Sequence, residues 1–263
     1  MVATRHVQSK VPRVTVYFWI IMAMAGTVGD AGAYFLVQRM HLHPAVATGA
    51  TGLLLFWAVL AQFTARRYTM WRYWTAAIVI NVAATVLVMD LVTWAGLPVV
   101  KTALAFGLAL AITLGIWYLT ERTCSIEMIV TRRREVLYWL CMLFAFAAGT
   151  ALGSALAWRV GLGFRHAAGV VAIGIAAVAL SRFGHLVSAS LAFWSACVLT
   201  QPIGASLRDW LSLAPQEGGL GLSRLHPSAL ILFGGAVLAL AIARAGLDRP
   251  RVSDDEFVKT APR

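Results

Sequence analysis

The chain has 263 residues, of which 60% are hydrophobic and only 13% are charged, and its formal net charge is +11. Soluble domains carry about 25% charged residues, so the composition excludes an ordinary soluble domain and indicates a polytopic membrane protein. The three cysteines are odd in number and form no C-x-x-C pair, which argues against a disulfide framework and a zinc site.

Apolar stretches of about 20 residues, long enough to cross a bilayer, occur eight times along the chain. We predict membrane spans at residues 14–37, 44–64, 71–93, 98–119, 136–158, 163–181, 187–210 and 227–246. The connections between spans are short, so residues 14–246 are predicted to form one membrane domain. Residues 1–13 would precede it as an N-terminal segment, and residues 247–263 would follow it as a tail.

The first span resembles a signal peptide, because basic residues precede it and Ala31-Gly32-Ala33 matches a cleavage site. A similar helix recurs at 136–158, however, where a cleavage signal has no meaning. We therefore predict that the first span is retained in the protein.

Basic residues are distributed unevenly between the two sides of the predicted spans. Of the 22 Lys and Arg residues, 16 fall in the N-terminus, in the tail, in the connections after spans two, four and six, or at the span ends next to them. This asymmetry follows the positive-inside rule and predicts a bacterial inner-membrane protein with both termini in the cytoplasm. The basic excess thus reports topology, and we expect membrane lipid, not nucleic acid, as a partner.

Four of the predicted spans begin with an aromatic pair that ends in Trp. The pairs are Phe18-Trp19, Tyr73-Trp74, Tyr138-Trp139 and Phe193-Trp194. Ten and eleven residues after each Trp come Gly29-Asp30, Ala84-Thr85, Gly149-Thr150 and Gly204-Ala205. Self-similarity of this kind indicates a repeated unit. Trp and Tyr collect at membrane interfaces, so we expect the aromatic pairs to anchor the helix ends there.

The predicted fold is all-α, with four parallel helical-hairpin repeats. They cover residues 14–64, 71–119, 136–181 and 187–246. The simplest packing places the odd spans around a central axis and the even spans outside, facing lipid, although a two-fold arrangement also fits. Small residues spaced by four, as in Gly149-x-x-x-Gly153, favour close approach of the helices.

Polar residues of the odd spans share one helical face, because offsets of 7, 11 and 15 from each Trp stay aligned. The polar residues at or next to these offsets are Asp30, Asn81, Thr85, Asp90, Thr150, Ser154, Gln201 and Asp209. At about 1.5 Å per residue, offset 11 lies roughly 16 Å beyond the Trp, near mid-bilayer. A carboxylate there costs about 2.5–3.5 kcal/mol on insertion scales, so Asp30 is expected to face a cavity or a partner.

We predict a transporter or channel for a small cation, with coupling to protons left open. Asp30 would be the central ligand, with Thr85, Thr150, Asn81 and Gln201 around it and with Asp90 and Asp209 at the outer mouth. In the alternative, the protein is a non-transporting scaffold or sensor subunit, and the polar stripe only packs the bundle.

The sequence contains no signature of an enzyme. The patterns H-E-x-x-H, G-x-S-x-G and the Rossmann glycine fingerprint are all missing, so we expect no catalytic residue and no cofactor. His41-x-His43 is a possible chelating pair for a transition metal. Scattered histidines in loops are more often surface residues, and the metal assignment is left open.

Several stretches are similar to a bacterial family of membrane-anchored proteins. They are KVPRVTVYFWI, VTRRREVLYWL, FAAGTALG and LAFWSACVLTQPIGASLRDWL. The family is built from four copies of a two-helix repeat of unknown function, and the resemblance runs from about residue 10 to 246. It implies a membrane location and the repeat fold, but no substrate. Members of the family carry carboxylates where this chain has Tyr34 and Ser154, so a shared ion site would be reduced here.

Overall fold

The computed structural model describes residues 9–65, 67–126, 129–160, 163–212 and 221. All regular secondary structure in these ranges is helical. The α-helices are α1 Val16–Tyr34, α2 Pro44–Phe63, α3 Met70–Met89, α4 Val99–Glu121, α5 Arg132–Ser154, α6 Gly163–Phe183 and α7 Ala189–Ser212. Six helical segments, one for each of α1 to α6, are long and apolar enough to cross a membrane. The protein is therefore a helical protein suited to embedding in a membrane.

The described helices match seven predicted spans to within about a turn. The predicted eighth span at 227–246 and the tail at 247–263 lie outside the described residues. The largest difference is at α5, which begins at Arg132 and not at residue 136. The hydroxyl of Thr131 caps this helix by accepting a hydrogen bond from the Arg134 amide at 3.2 Å, and such a cap fixes where a helix starts.

Helices α1, α3 and α5 each continue into a single turn of π-helix. These turns are Phe35–Arg39, Asp90–Trp94 and Ala155–Arg159. Each starts sixteen residues after the Trp of its aromatic pair, at Trp19, Trp74 and Trp139. A π turn is rare, widens the helix and changes its register, and it occurs frequently at functional sites. Three such turns at the same distance from the Trp parallel the similarity in sequence among the spans that begin with an aromatic pair.

The odd-numbered helices form a central four-helix bundle. Helix α1 packs against α3 and α7, and α5 packs against the same two helices, so the ring of contacts is closed. Helices α2, α4 and α6 lie outside this ring. Apolar side chains on them, such as Leu54, Trp57 and Leu104, are exposed, as lipid-facing residues would be.

Pairing of the outer helices with the central ones differs from the predicted hairpins. Each outer helix packs along the central helix that follows it in the chain: α2 on α3, α4 on α5 and α6 on α7. Helices that are consecutive within a predicted repeat, such as α1 and α2, are joined by a loop but do not form the main packing pair. The lengths of the loops do not indicate on which central helix an outer helix packs.

Glycines bring the central helices into close contact. A Cβ atom at Gly149 would lie 2.8 Å from Cβ of Gln201 and against the carbonyl oxygen of Val198 on α7. A Cβ atom at Gly204 would lie 3.1 Å from the amide nitrogen of Thr27 on α1. The small residues therefore let α7 cross both of its neighbours at backbone distance, which is how helices associate in lipid.

Candidate functional site

Eight aromatic rings form a closed belt where the four central helices begin. This aromatic belt consists of Phe18, Trp19, Tyr73, Trp74, Tyr138, Trp139, Phe193 and Trp194. Ring centroids within each pair are 5.1–5.2 Å apart. The first ring of each pair also contacts the Trp of the next helix around the bundle, at 5.5–5.8 Å. The same contact is thus made four times and returns to its starting helix.

Burial of the belt corrects the expectation that these residues anchor the helix ends in the membrane interface. Trp194 is only 2% exposed, and Trp74 and Trp139 are buried as well. Aromatic rings bury large areas and prefer edge-to-face contacts, so the pairs serve as packing elements of the bundle. The sequence held one signal for this: each Trp is preceded by a second ring, which an interface anchor does not require.

Beyond the belt, a side-chain amide pair spans the bundle. Asn81 of α3 donates through Nδ2 to Oε1 of Gln201 on α7, at 2.6 Å, and both side chains are buried. A Cβ atom at Gly26 of α1 would lie 3.2 Å from the same Gln201 oxygen. The other polar atoms of the two side chains, Oδ1 of Asn81 and Nε2 of Gln201, are enclosed and have no hydrogen-bond partner among the described residues.

Asp30 lies one turn further along the bundle and is 3% exposed. Thr85 donates its hydroxyl to Oδ1 of Asp30 at 2.8 Å, which links α1 to α3. On the other flank of α1, the Thr27 hydroxyl donates to the carbonyl oxygens of Ala23 and Gly204, at 3.0 and 3.3 Å. The structure therefore brings together Asp30 with Thr85, and Asn81 with Gln201, at successive levels of the bundle.

Other predicted site residues have different surroundings. The hydroxyl of Thr150 is enclosed and has no hydrogen-bond partner in the described part of the chain, whereas Ser154 is half-buried. Asp90 is the first residue of the second π turn and accepts a hydrogen bond from Thr48 of α2, so it contacts an outer helix. Asp209 belongs to α7, but its side chain lies outside the described residues.

The histidine pair between the first π turn and α2 is exposed. His43 accepts a hydrogen bond from the Ala45 amide through Nδ1 at 3.3 Å and thereby caps α2. Its ring also packs against Trp94 at 5.5 Å. No group of three or more His, Cys, Asp or Glu residues that is arranged to hold a metal occurs in the described ranges.

Sequence reasoning missed a buried carboxylate at the belt end of the bundle. Glu135 is 1% exposed, and its Oε2 atom lies 2.7 Å from Nζ of Lys10. The residue follows three arginines and falls between the predicted spans 98–119 and 136–158, in a connection where the sequence analysis placed no site residue. Because α5 already begins at Arg132, Glu135 occupies the first turn of a central helix and faces the interior.

Chemically, the bundle stacks three levels along about 16 Å of helix: the aromatic belt, the amide pair and the Asp30–Thr85 pair. The last two levels offer carboxylate, hydroxyl and amide oxygens, the ligand types that hard cations prefer. Comparison of the chain with protein-family models, with curated proteins and with solved structures finds no match.

Proposed function

We propose that the protein moves a small cation across a bacterial inner membrane, with Asp30 as the central ligand. The observation that carries this proposal is the enclosed carboxylate of Asp30 and, at the neighbouring level, the unpartnered polar atoms of Asn81 and Gln201. Buried polar atoms in proteins are almost always hydrogen-bonded. Unsatisfied polar atoms beside a carboxylate favour a ligand, and the oxygen among them, Oδ1 of Asn81, together with the Asp30 carboxylate favours a cation.

A charged residue within a membrane-spanning helix supports the same assignment. Such residues are costly to insert and mark ion or substrate pathways. Thr85 positions the Asp30 carboxylate, and the neighbouring Gly29 lies against Oδ1 of Asn81. A cation in this position would replace interactions with water by carboxylate and amide oxygens. Coupling to protons would follow if Asp30 is protonated when the cation leaves.

The proposed architecture has eight spans in four two-helix repeats, with both termini in the cytoplasm. It is supported by the three π turns at one register and by the fourfold contact pattern of the aromatic belt. Each central helix except α1 has an outer helix packed along it within the described residues. The predicted span at 227–246 would complete the fourth repeat.

Cation flux into proteoliposomes tests the proposal. Wild type and Asp30→Asn would be compared over protons, potassium, sodium, magnesium and manganese, with folding checked by gel filtration and circular dichroism. We expect the variant to lose the flux that wild type shows, because the amide keeps the shape but removes the negative charge. Equal flux in both proteins would refute the assignment of Asp30.

A second function, a non-transporting scaffold or sensor subunit, is favoured by one observation. The aromatic belt and the Asn81–Gln201 bond fill the centre of the bundle with direct side-chain contacts. On this proposal, wild type shows no flux for any ion, and Asp30→Asn lowers thermal stability alone. A partner protein that co-purifies in a fixed ratio would support it.

A further inference from the structure

Residues 9–11 are not helical, yet hydrogen bonds fix them at the belt end of the bundle. The backbone amide of Lys10 donates to the carbonyl oxygen of Ile129 at 3.1 Å, and Oγ of Ser9 accepts from the Ile129 amide at 3.3 Å. Ser9 and Val11 are buried. Residues Ser9–Val11, termed the strap below, are therefore attached to the connection between α4 and α5.

The strap places the Lys10 ammonium group among oxygen atoms from two helices. Nζ of Lys10 lies 2.7 Å from Oε2 of Glu135 in the first turn of α5 and 3.5 Å from the carbonyl oxygen of Phe63 at the end of α2. The side-chain amide of Gln62 donates through Nε2 to the backbone carbonyl oxygen of Lys10 at 3.5 Å. The Lys10 side chain is 12% exposed, whereas Glu135 and Gln62 are almost fully enclosed.

The ammonium group does not satisfy all of these oxygens. Oε1 of Glu135 and Oε1 of Gln62 are both buried and have no hydrogen-bond partner among the described residues. Carboxylate, amide and backbone carbonyl oxygens are the usual ligands of an alkali or alkaline-earth cation. The C-terminal end of α2, which contributes Gln62 and Phe63, also carries the negative pole of the helix dipole and favours a cation.

A purely structural role explains this arrangement poorly. Burying a carboxylate against a single lysine costs about as much in desolvation as the pair returns, so such pairs are weak evidence for stability. The other ion pair at this end, Arg134 with Glu121 at 2.8 Å, is more exposed on the carboxylate side. Only the Lys10–Glu135 pair leaves a fully enclosed carboxylate oxygen without a partner among the described residues.

We propose that Glu135, Gln62 and the Phe63 carbonyl form a binding site for a monovalent alkali cation, and that Lys10 occupies this site as a tethered competitor. A lysine ammonium is a compact point charge with three donors, so it is a fitting substitute for such an ion. Release of the strap opens the site. The inference rests on the proposed function only in that the cation bound here would continue along the bundle to Asp30.

The test uses full-length protein in detergent and radioactive rubidium as the probe. Lys10→Met keeps the length of the side chain but removes its charge, and Lys10→Met/Glu135→Gln removes the carboxylate as well. Arg134→Met is the matched control, because it breaks the neighbouring ion pair and leaves Lys10 in place. Asp30→Asn is introduced into all four proteins, so that the proposed transport ligand does not contribute. In this background we expect Lys10→Met to bind rubidium in a one-to-one ratio, and the otherwise wild-type protein, the control and the double variant to bind it at least roughly tenfold more weakly.

A second measurement keeps the test informative if Lys10→Met is unstable. Its melting temperature should be higher in potassium chloride than in choline chloride, while that of the double variant should not depend on the cation. Absence of both rubidium binding and potassium stabilisation would overturn the proposal, and so would equal binding by wild type. Rubidium binding without flux in liposomes would support this site and refute transport, so the two proposals fail separately.

Discussion

At the scale of single residues, the hydroxyl of Thr85 donates a hydrogen bond to the Asp30 carboxylate at 2.8 Å. Both residues are buried, so the hydrogen bond is shielded from water. A hydrogen bond to a charged group contributes more than one between neutral groups, at about 1.5–3 kcal/mol. Thr85 therefore helps to position the Asp30 carboxylate, and both residues lie eleven residues after the Trp of their helix.

Replacement of Thr85 tests this dependence. We expect Thr85→Val to lower the free energy of unfolding by about 1–3 kcal/mol, because it leaves Asp30 without this donor. Thr85→Ser should remain close to wild type. Thermal unfolding in detergent measures the effect, and Thr113→Val on the outer helix α4 is the control. The Thr113 hydroxyl donates only to the carbonyl oxygen of Ala109 on its own helix, so its loss should matter little. Equal losses at both positions would contradict the prediction.

The limits of sequence reasoning also appear at single residues. Asp30 with Thr85, and Asn81 with Gln201, were placed at common levels because the helical period holds from the Trp to these positions. Asp90 was grouped with them but contacts α2. It lies one residue beyond offset 15, about 100° around the helix from the shared face, and it therefore meets the neighbouring outer helix.

At the scale of helices, close crossings hold the central ring together. Gly149→Ala should force α5 away from α7, because the added methyl group would meet the Val198 carbonyl oxygen and the Gln201 side chain. We expect a loss of stability of about 1–3 kcal/mol, as for overpacking of a core. Melting temperature in detergent reports the loss.

Gly107→Ala is the matched control for this substitution. A Cβ atom at Gly107 of α4 would have open space around it, and alanine favours helix by about 0.5–1 kcal/mol over glycine. The control should therefore be neutral or slightly stabilising. A Gly149→Ala protein as stable as the control would mean that α5 and α7 are not in close contact at this crossing.

The boundaries of the helices were largely predictable, whereas their pairing was not. Apolar runs of membrane length end at polar or turn residues, so α2 and α4 begin within a residue of the predicted positions. Packing of α2 on α3 instead of α1 depends on complementary surfaces between helices. Both faces of these helices are apolar, and one sequence therefore gives no pattern from which to select the partner.

At the scale of the whole molecule, the proposed topology makes a prediction about the two ends of the last repeat. Alkaline phosphatase fused after Gly221 should be active, because in the proposed topology that residue lies on the side of the inner membrane opposite the cytoplasm. Green fluorescent protein fused after Arg263 should fluoresce, because the predicted span at 227–246 would return the chain to the cytoplasm.

A fusion after Arg122, in the connection between α4 and α5, provides the reference for a cytoplasmic position. It should behave like the fusion after Arg263 and unlike the one after Gly221. If the fusions after Gly221 and Arg263 report the same side, the chain has seven spans and the fourfold architecture fails.

Closure of the central ring has a consequence for gene organisation. Helix α1 contacts α7 in the same way as α3 contacts α5, so the ring has no first or last member. A circularly permuted gene that starts before α3 and appends α1 and α2 after the tail would preserve every neighbour of every central helix. In the described part of the chain the strap breaks this equivalence, because Lys10 lies six residues before α1 and pairs with Glu135 of α5.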